Sequence, residues 1–287
     1  INRGQVFNLN VVLENQITLP GSIKSFGFLA GDAVDPYLYN IALLSDYSGS
    51  VKITINSLST SASGRPMSVG GLIGNVLLEA HTLEQVFSKL NLTVYSRSSA
   101  PLTVGSIFGS IGGSQRVSSL RVDSLSSLSV SAPNTNMLVV GGAIGSAEGS
   151  RMVSTSAALG TNLTVDIGSA TSAIVGGFAG VAAQLRHVNT SWDNVKCAAV
   201  DDIASSNSCM VGGIVGALRS TADDTRMSGN LATHSLGVVG CYYASTCYTG
   251  GIAGWMENSD LRDGSTSMNV SVHSVQTCHV GGAIGYT

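Results

Sequence analysis

Val140-Gly141-Gly142-Ala143-Ile144-Gly145 reads VGGAIG, and close variants of this hexapeptide return along the chain. One degenerate and six further copies are FGFLAG at Phe26, VGGLIG at Val69, VGSIFG at Val104, VGGFAG at Val175, VGGIVG at Val211, TGGIAG at Thr249 and VGGAIG at Val280. The first glycines of successive copies are separated by 43, 35, 36, 35, 36, 38 and 31 residues. A repeat with a period of about 35 residues therefore decides the architecture.

A period of this length occurs in helical arrays as well as in stacked β-strands, so the residue types must decide between them. Most copies of the hexapeptide contain three glycines, and each glycine destabilises a helix interior by about 1 kcal/mol relative to alanine. The segments between hexapeptides alternate apolar and polar residues, as in 51–55, 90–94, 163–165 and 268–272. Such alternation indicates strands with one buried face.

Two such strands cannot enclose a core alone, but coils stacked about 4.8 Å apart pair each strand with its equivalent and bury a continuous column. We therefore expect an all-β fold, a parallel β-solenoid (β-helix) of about seven to eight coils formed by residues 26–287 as a single domain. Residues 1–25 are expected to form an extra N-terminal strand or linker segment. The alternative is a β-sandwich in which the paired glycines mark hairpin turns, although turn glycines would not need apolar flanks.

The glycines of the hexapeptide suit a tight bend or a close approach of two backbones, where a Cβ atom would clash. The motif resembles the GLUG-type repeats, which are short GG-apolar-apolar-G units of large extracellular and surface proteins of bacteria and protists. The resemblance covers roughly residues 26 to 287 and implies a secreted surface role without chemistry. Two copies depart from the pattern, because Ser106 and Phe28 stand where the second glycine would be.

The composition excludes several classes of protein. Of the 287 residues, 44% are hydrophobic and only 11% are charged, whereas soluble domains average about 25% charged residues. The 43 serines must therefore cover much of the surface. No run of apolar residues is long enough for a membrane-spanning helix. The 14 basic and 17 acidic residues argue against a strongly basic nucleic-acid-binding protein.

Four N-x-[ST] glycosylation sequons begin at Asn91, Asn162, Asn189 and Asn269. In the sequons of Asn91, Asn162 and Asn269, alternation places the asparagine and the hydroxyl residue on the polar face of a strand. An acceptor asparagine must be accessible, and attached sugars would keep a surface with so few charges soluble. The sequence therefore predicts a secreted glycoprotein with covalent glycans.

All five cysteines lie between residues 197 and 278. Cys209, Cys247 and Cys278 each stand three residues before a repeat glycine, so stacked coils would make them vertical neighbours at a separation that a disulfide tolerates. The local pairs Cys197 with Cys209 and Cys241 with Cys247 are equally compatible with the sequence. We prefer the local pairs because each bounds a loop before a hexapeptide. Cys278 is then the odd thiol, either buried or bonded to another chain.

A basic residue follows the first glycine of five hexapeptides by 10 to 14 residues, namely Arg116, Arg151, Arg186, Arg226 and Arg262. If these arginines stack directly, unit charges about 5 Å apart repel by roughly 1 kcal/mol per pair in water. They must then be solvated, splayed or paired. One interpretation is a basic stripe that binds an anionic glycan or the acidic loops of a neighbouring copy. The other is a solvated strand edge that discourages lateral aggregation.

The sequence predicts no enzyme, no metal site and no cofactor. A polysaccharide-active β-helix enzyme would need clustered carboxylates, and the acidic pairs Asp201-Asp202 and Asp223-Asp224 lie in longer coils where turn residues are expected anyway. The cysteines form no CxxC pair and no histidine lies at zinc-finger spacing. A glycine motif that repeats along the whole chain does not indicate a phosphate-binding loop. The enzyme is the least favoured alternative.

Residues 280–287 form an intact repeat without a polar cap, and residues 6–13 read as a strand outside the repeat register. Solenoids normally protect their terminal coils. Either the sequence belongs to a longer repeat protein, or its open end docks onto a further copy of itself, and a head-to-tail contact that does not close makes a fibre. We therefore expect a structural subunit of an extracellular, glycosylated surface filament, appendage or coat. The alternative is an adhesin or glycan-binding stalk module.

Overall fold

The computed structural model describes residues 1–13, 16–45, 50–56, 66–113, 116–148, 152–168, 171–199, 207–219, 225–228, 231–233, 238–273 and 276–287. For residues 152, 154, 155 and 225–228 only the backbone is described. Every regular element in these ranges is a β-strand. In the same ranges, no helix is long and apolar enough to cross a membrane.

The strands alternate with short bends along the whole chain. In order they are β1 (Gln5–Leu13), β2 (Gln16–Leu19), β3 (Ser25–Phe26), β4 (Ala30–Val34), β5 (Tyr37–Ser45), β6 (Val51–Ile55), β7 (Met67–Gly70), β8 (Ile73–Leu78), β9 (Leu83–Lys89), β10 (Asn91–Ser96), β11 (Leu102–Gly105), β12 (Phe108–Gly113), β13 (Arg116–Val122), β14 (Ser127–Ala132), β15 (Met137–Gly141), β16 (Ile144–Ala147), β17 (Met152–Ile167), β18 (Ser172–Gly176), β19 (Ala179–Ala182), β20 (Gln184–Ala199), β21 (Ser208–Gly212), β22 (Val215–Leu218), β23 (Thr225–Ser228), β24 (Leu231–Thr233), β25 (Val238–Tyr242), β26 (Thr246–Gly250), β27 (Ala253–Met256), β28 (Ser259–Leu261), β29 (Gly264–Thr266), β30 (Asn269–His273), β31 (Thr277–Gly281) and β32 (Ile284–Tyr286).

These strands form three parallel sheets. Sheet I contains the strands that end at the first glycine of each hexapeptide or, in β3, one residue before it; these are β3, β7, β11, β15, β18, β21, β26 and β31. Sheet II contains the strands that follow the paired glycines, β4, β8, β12, β16, β19, β22, β27 and β32. Sheet III holds the remaining 16 described strands. It has a first arm that includes β5, β9 and β13 and a second arm that includes β6, β10 and β14, and β17 and β20 span both arms.

Each coil runs from sheet I through the hexapeptide into sheet II and then along the two arms of sheet III. The chain completes about seven such turns with a period of about 35 residues. Equivalent residues of successive coils are direct partners, as for Val104 with Val69 and Val140. Every described pairing between sheet neighbours of this kind is parallel, which confirms the β-solenoid and excludes the β-sandwich.

Strands β1 and β2 lie at one end of the stack. Gln5 pairs with Tyr37 of β5, and Gln16 pairs with Lys52 of β6, both in parallel. The N-terminal segment, expected as an extra strand or linker, therefore contributes half a turn that stacks on the first complete coil.

One continuous core runs through the solenoid. In β6 the side chains of Val51, Ile53 and Ile55 are buried, while Lys52 between them is exposed. The same alternation recurs in β10 and β14. These inward side chains join a single cluster that extends from Leu13 to Met268. The predicted period-two strands are therefore confirmed, and their apolar faces supply the stabilising burial.

A residue in the left-handed conformation bends the first arm of sheet III at the same place in several coils. The members of this column with positive φ are Asn8, Asn40, Gln85, Ser119, His187 and Asp263. Non-glycine residues seldom adopt this conformation, although asparagine and aspartate tolerate it better than most. Asn40 Nδ2 also donates to Asn8 Oδ1 at 2.7 Å, so the first two side chains of the column form a ladder.

Candidate functional site

The outer faces of sheets I and II meet along a seam formed by the first and last glycines of the hexapeptides. A Cβ atom on Gly141 would lie 2.6 Å from the backbone nitrogen of Gly180, and one on Gly180 would lie 2.7 Å from Cγ1 of Val139. Among the described glycines, only Gly113 has a positive φ. The seam glycines are therefore required for the close approach of two backbones and not for an unusual backbone conformation.

The second glycine of the hexapeptide faces the next coil. A Cβ atom on Gly142 would run into the carbonyl oxygen of Gly177 and lie 2.6 Å from Cζ2 of Trp192. Ser106, which departs from the repeat pattern at this position, is buried, and its hydroxyl donates to the carbonyl of Gly142. The serine is accommodated because its side chain bonds to the group that it would otherwise crowd.

Outward side chains flank the seam and line what we call the outer cleft. From the second coil onward, each coil contributes one residue two positions before the first glycine and one residue five positions after it. On sheet I these are Ser68, Thr103, Val139, Ile174, Met210, Tyr248 and His279. On sheet II they are Asn75, Ser110, Ser146, Val181, Ala217, Trp255 and Tyr286. The cleft thus changes along the solenoid from polar through aliphatic to aromatic.

The middle of the outer cleft is a second hydrophobic cluster, separate from the core. Val139, Ile174, Val181 and Ala217 are buried there, and Trp255 packs against their cluster. Sheets I and II are therefore held together on both sides, by the core on one side and by this cluster on the other.

The aromatic end of the cleft is a packed group of four rings. The ring of Tyr248 stacks on that of His279 with centroids 5.1 Å apart, and Trp255 lies edge-on to Tyr248 at 5.0 Å. Tyr286 is 4.9 Å from Trp255 and remains 41% exposed. Such rings offer broad apolar faces together with polar O–H and N–H tips. The sequence interpretation missed this group, although aligning the coils on their first glycines would have revealed it.

The buried cysteines form a corner between sheet III and sheet I. The Sγ atoms of Cys197 and Cys209 are in contact and their Cα atoms lie 6.6 Å apart, a separation at which a disulfide forms. Cys241 is the register partner of Cys197, and Cys247 is that of Cys209, so the second pair repeats this arrangement one coil further on. Cys278 continues the column of Cys247 and is exposed. Of the two local pairs preferred from the sequence, only Cys197 and Cys209 are in disulfide contact, whereas Cys241 and Cys247 are thiols joined by a hydrogen bond.

The Cys241 thiol of the cysteine corner is strongly protected from ionisation. Burial and a hydrogen bond with Cys247 raise the pKa of the Cys241 thiol far above its usual value. A thiolate is the reactive form of cysteine, so Cys241 is held in its unreactive state inside the folded coil.

Four of the five repeat arginines lie in two backbone columns of the first arm. Arg116 and Arg226 belong to one column, and Arg186 and Arg262 belong to the column two residues further along the strand. Arg226 has Asp260 as its register partner, and Asp260 also accepts a hydrogen bond from Arg262 at 3.0 Å. No two of these four stack directly, so the charge repulsion of a single column does not arise. Arg151 lies outside the described residues.

The sequons divide between the two arms of sheet III. Asn91, Asn162 and Asn269 share one column on the second arm, in coils that are two and three rungs apart. Asn189 lies on the first arm, opposite Ala157. The expectation that Asn91, Asn162 and Asn269 face outward agrees with the burial of Leu92 and Leu163 on the inward side.

A buried carboxylate closes one corner of the solenoid between sheet II and the first arm. Asp35, 2% exposed, accepts hydrogen bonds from the backbone N–H groups of Ala80 and His81 at 2.8 Å and of Glu79 at 3.1 Å. His81 Nδ1 lies 3.0 Å from its other oxygen. The backbone hydrogen bonds from Ala80 and His81 hold the pKa of Asp35 well below its usual value. Its role is to order the following bend.

The acidic pairs considered for an enzyme, Asp201-Asp202 and Asp223-Asp224, lie outside the described residues. Within the residues that are described, no group of three or more histidine, cysteine, aspartate or glutamate side chains could hold a metal ion.

Comparison with known proteins returned no match to a family model, to a curated protein or to a solved structure. The resemblance to GLUG-type repeats therefore rests on the glycine hexapeptides alone.

Proposed function

We propose that this chain is a non-enzymatic structural subunit of an extracellular, glycosylated surface filament, appendage or coat, and that it assembles by end-to-end stacking of solenoids. The observation that carries the proposal is that the inward columns stay apolar through both ends of the stack. The partly buried hydrophobic residues that pack against the core lie mainly in the first and last rungs.

The register of the stack specifies how two copies would meet. If two copies stacked end to end in register, the first residue of each inward column in one copy would lie on the last residue of the same column in the other. Four apolar contacts would result, which are Phe26 on Val280, Ala30 on Ile284, Ile17 on Val272 and Val6 on Leu261. Val280 is 52% exposed in the single chain. A second copy would cover it as the next coil covers Val69, Val104 and Val140, which are fully buried.

Backbone groups favour the same contact. The outer edges of β1 and β2 at one end, and of β31 and β32 at the other, have no strand beyond them among the described residues. Unpaired strand edges are templates for another chain. Sheets I and II each have eight rungs in the described part of the chain, and at about 4.8 Å per rung each copy of this polypeptide would add about 38 Å to a filament.

Two features support an extracellular location. The cysteine corner holds Cys197 and Cys209 at disulfide-forming separation, and disulfides persist mainly in oxidising compartments. The sequons of Asn91, Asn162 and Asn269 lie on an outward file. The resemblance of the hexapeptides to GLUG-type repeats of surface proteins is consistent with both.

Electron microscopy and sedimentation of the 287-residue polypeptide test this function. We expect filaments with a repeat near 38 Å along the axis. The variant Val280→Lys should remain monomeric because it buries an unpaired charge in the contact. Thr277→Lys, on the same strand but facing outward, is the matched control and should assemble. Monomers of the wild type at every concentration, or assembly of Val280→Lys equal to that of the control, would overturn the proposal.

The aromatic end of the outer cleft favours a second candidate, a glycan-binding stalk module. The half-buried ring of Trp255 and the exposed ring of Tyr286 supply apolar faces, and their N–H and O–H tips supply hydrogen bonds. A glycan array with the variant Trp255→Ala tests it. Ser110→Ala, at the same repeat position in the polar part of the cleft, is the control. Binding that is lost only with Trp255→Ala supports this candidate, whereas no binding by the wild type excludes it.

A further inference from the structure

One outward column on the second arm of sheet III collects most of the sequons. Its members in successive coils, joined by the register, are Asn91, Ser127, Asn162, Asn194, Val238 and Asn269. Three of these four asparagines begin an N-x-[ST] sequon, and Asn194, followed by Val195 and Lys196, does not. The column therefore carries its own internal control.

We call this column the file, and its side chains are presented to solvent. Asn162 and Asn269 are exposed and Asn91 is half-buried. Ser127 Oγ donates to Asn91 Oδ1 at 3.0 Å, and Asn194 Nδ2 donates to Asn162 Oδ1 at 2.8 Å. Both contacts use the carbonyl oxygen of the acceptor side chain. Neither contact uses Nδ2 of Asn91 or of Asn162, the atom to which an N-linked sugar is attached.

The spacing along the file leaves room for sugars. Asn91 and Asn162 are two rungs apart, and Asn162 and Asn269 are three rungs apart. At about 4.8 Å per rung, these separations are roughly 10 Å and 14 Å. Neighbouring glycans would therefore be attached two or three times farther apart than adjacent strands are.

Asn189 is in a different environment. It lies in a groove of about 560 Å³ on the first arm, beside Arg121 and His187. Its Oδ1 is buried and has no hydrogen-bond partner among the described residues. The next residue, Thr190, is buried and its hydroxyl donates to the carbonyl of Gly213 at 2.8 Å. A glycan on Asn189 would either have to occupy this groove or require the asparagine side chain to move out of it.

We propose that Asn91, Asn162 and Asn269 carry N-linked glycans in a single file along the solenoid, and that Asn189 is unmodified in the folded protein. This inference rests on the proposed extracellular function. The file places sugar along the second arm as far as Asn269 in its last described rung, and it leaves the outer cleft bare. Sugars in this position oppose sheet-to-sheet association from the side, so that assembly proceeds only along the axis.

The experiment is secretion of the chain from eukaryotic cells behind a cleavable signal peptide. The secreted protein is treated with a peptide N-glycosidase in ¹⁸O-water, which marks each formerly glycosylated asparagine in a peptide map. Single variants Asn91→Gln, Asn162→Gln and Asn269→Gln are compared with the controls Asn189→Gln and Asn194→Gln. We expect each of the first three variants to lose one glycan from the intact mass, and the two controls to lose none.

A glycan on Asn189 of secreted protein, or an unmodified asparagine at any of the three file positions, would overturn the inference. The outcome is separable from that of the proposed function, because assembly is measured on enzymatically deglycosylated protein. If the peptide map shows that the secreted chain never carried glycans, but the chain forms filaments, only the glycan file is rejected. Monomers from a chain with three mapped glycans would reject the filament alone.

Discussion

Replacing Gly160 by alanine should destabilise the solenoid through a single collision. Gly160 is the register partner of Trp192 in the next coil. A Cβ atom on Gly160 would lie 2.5 Å from Cε3 and 2.6 Å from Cη2 of the indole, and closer still to Cζ3. The ring cannot retreat easily, because it is fully buried and its Nε1 donates to the carbonyl of Gly177 at 2.7 Å.

The size of the effect follows from the packing around Trp192. Overpacking a well-filled core costs typically 1–3 kcal/mol, and three rigid ring contacts place Gly160→Ala near the top, at about 2–3 kcal/mol. Trp192→Phe should itself cost about 2 kcal/mol, because it loses about 1 kcal/mol of hydrogen bonding and part of the buried ring. In the double variant the smaller ring makes room for the new methyl group. We therefore expect a favourable coupling of about 1–2 kcal/mol.

Urea unfolding followed by circular dichroism measures the free energies of this double-mutant cycle. Gly112→Ala is the matched control, since a Cβ atom there would meet nothing closer than 3.7 Å. It should be neutral or stabilising by about 0.5 kcal/mol, through reduced freedom of the unfolded chain. Additive costs of Gly160→Ala and Trp192→Phe would refute the collision, and so would a cost of Gly112→Ala equal to that of Gly160→Ala.

Three further predictions concern buried polar groups and thiols. Because folding lowers the pKa of Asp35, the stabilisation from its carboxylate is complete above the unfolded pKa and is lost as the pH falls through the folded pKa. The variant Asp35→Asn should therefore show a weaker dependence of the melting temperature on pH between pH 7 and pH 2. The same dependence in the variant and the wild type would contradict this. Ser106→Ala should cost about 1 kcal/mol in urea unfolding, since it removes the hydrogen bond to Gly142; an unchanged midpoint would count against that bond. Iodoacetamide on the native protein should modify exposed Cys278 and spare Cys241, whose pKa burial raises; equal labelling in a peptide map would disprove this protection.

The sequence predicted the parts of the fold that repeat for reasons of packing. An inward valine such as Val104 or Val140 recurs because each coil must cover the one before it. A seam glycine such as Gly141 recurs because sheets I and II touch there. The left-handed bend escaped notice because its column has no common residue type, as Gln85 and His187 illustrate. Its conformation is imposed by the coil and not by a glycine or a turn motif.

The cysteine corner is a second feature that the sequence predicted only in part. Spacing made the pairs Cys197 with Cys209 and Cys241 with Cys247 as plausible as a vertical column. The coil geometry brings the local pairs together and also stacks them in register, because the corner joins two sheets, but only Cys197 and Cys209 are in disulfide contact. The spacing of cysteines gives their separation along the chain, but it does not show which strands of two different sheets lie next to each other at a corner.

The outer cleft separates what stacking requires from what it leaves free. Inside the coil, a residue is constrained by the coils above and below it, so Val69, Val104, Val140, Val175 and Val211 are all valine. One position away on the same strands, the outward column carries a different residue type in almost every coil, from serine through isoleucine to tyrosine. The backbone is the same at each rung, so stacking does not dictate this sequence. Its change from polar to aromatic instead follows the residues that face it across the cleft, as Val139 shares a cluster with Val181 and Tyr248 packs on Trp255.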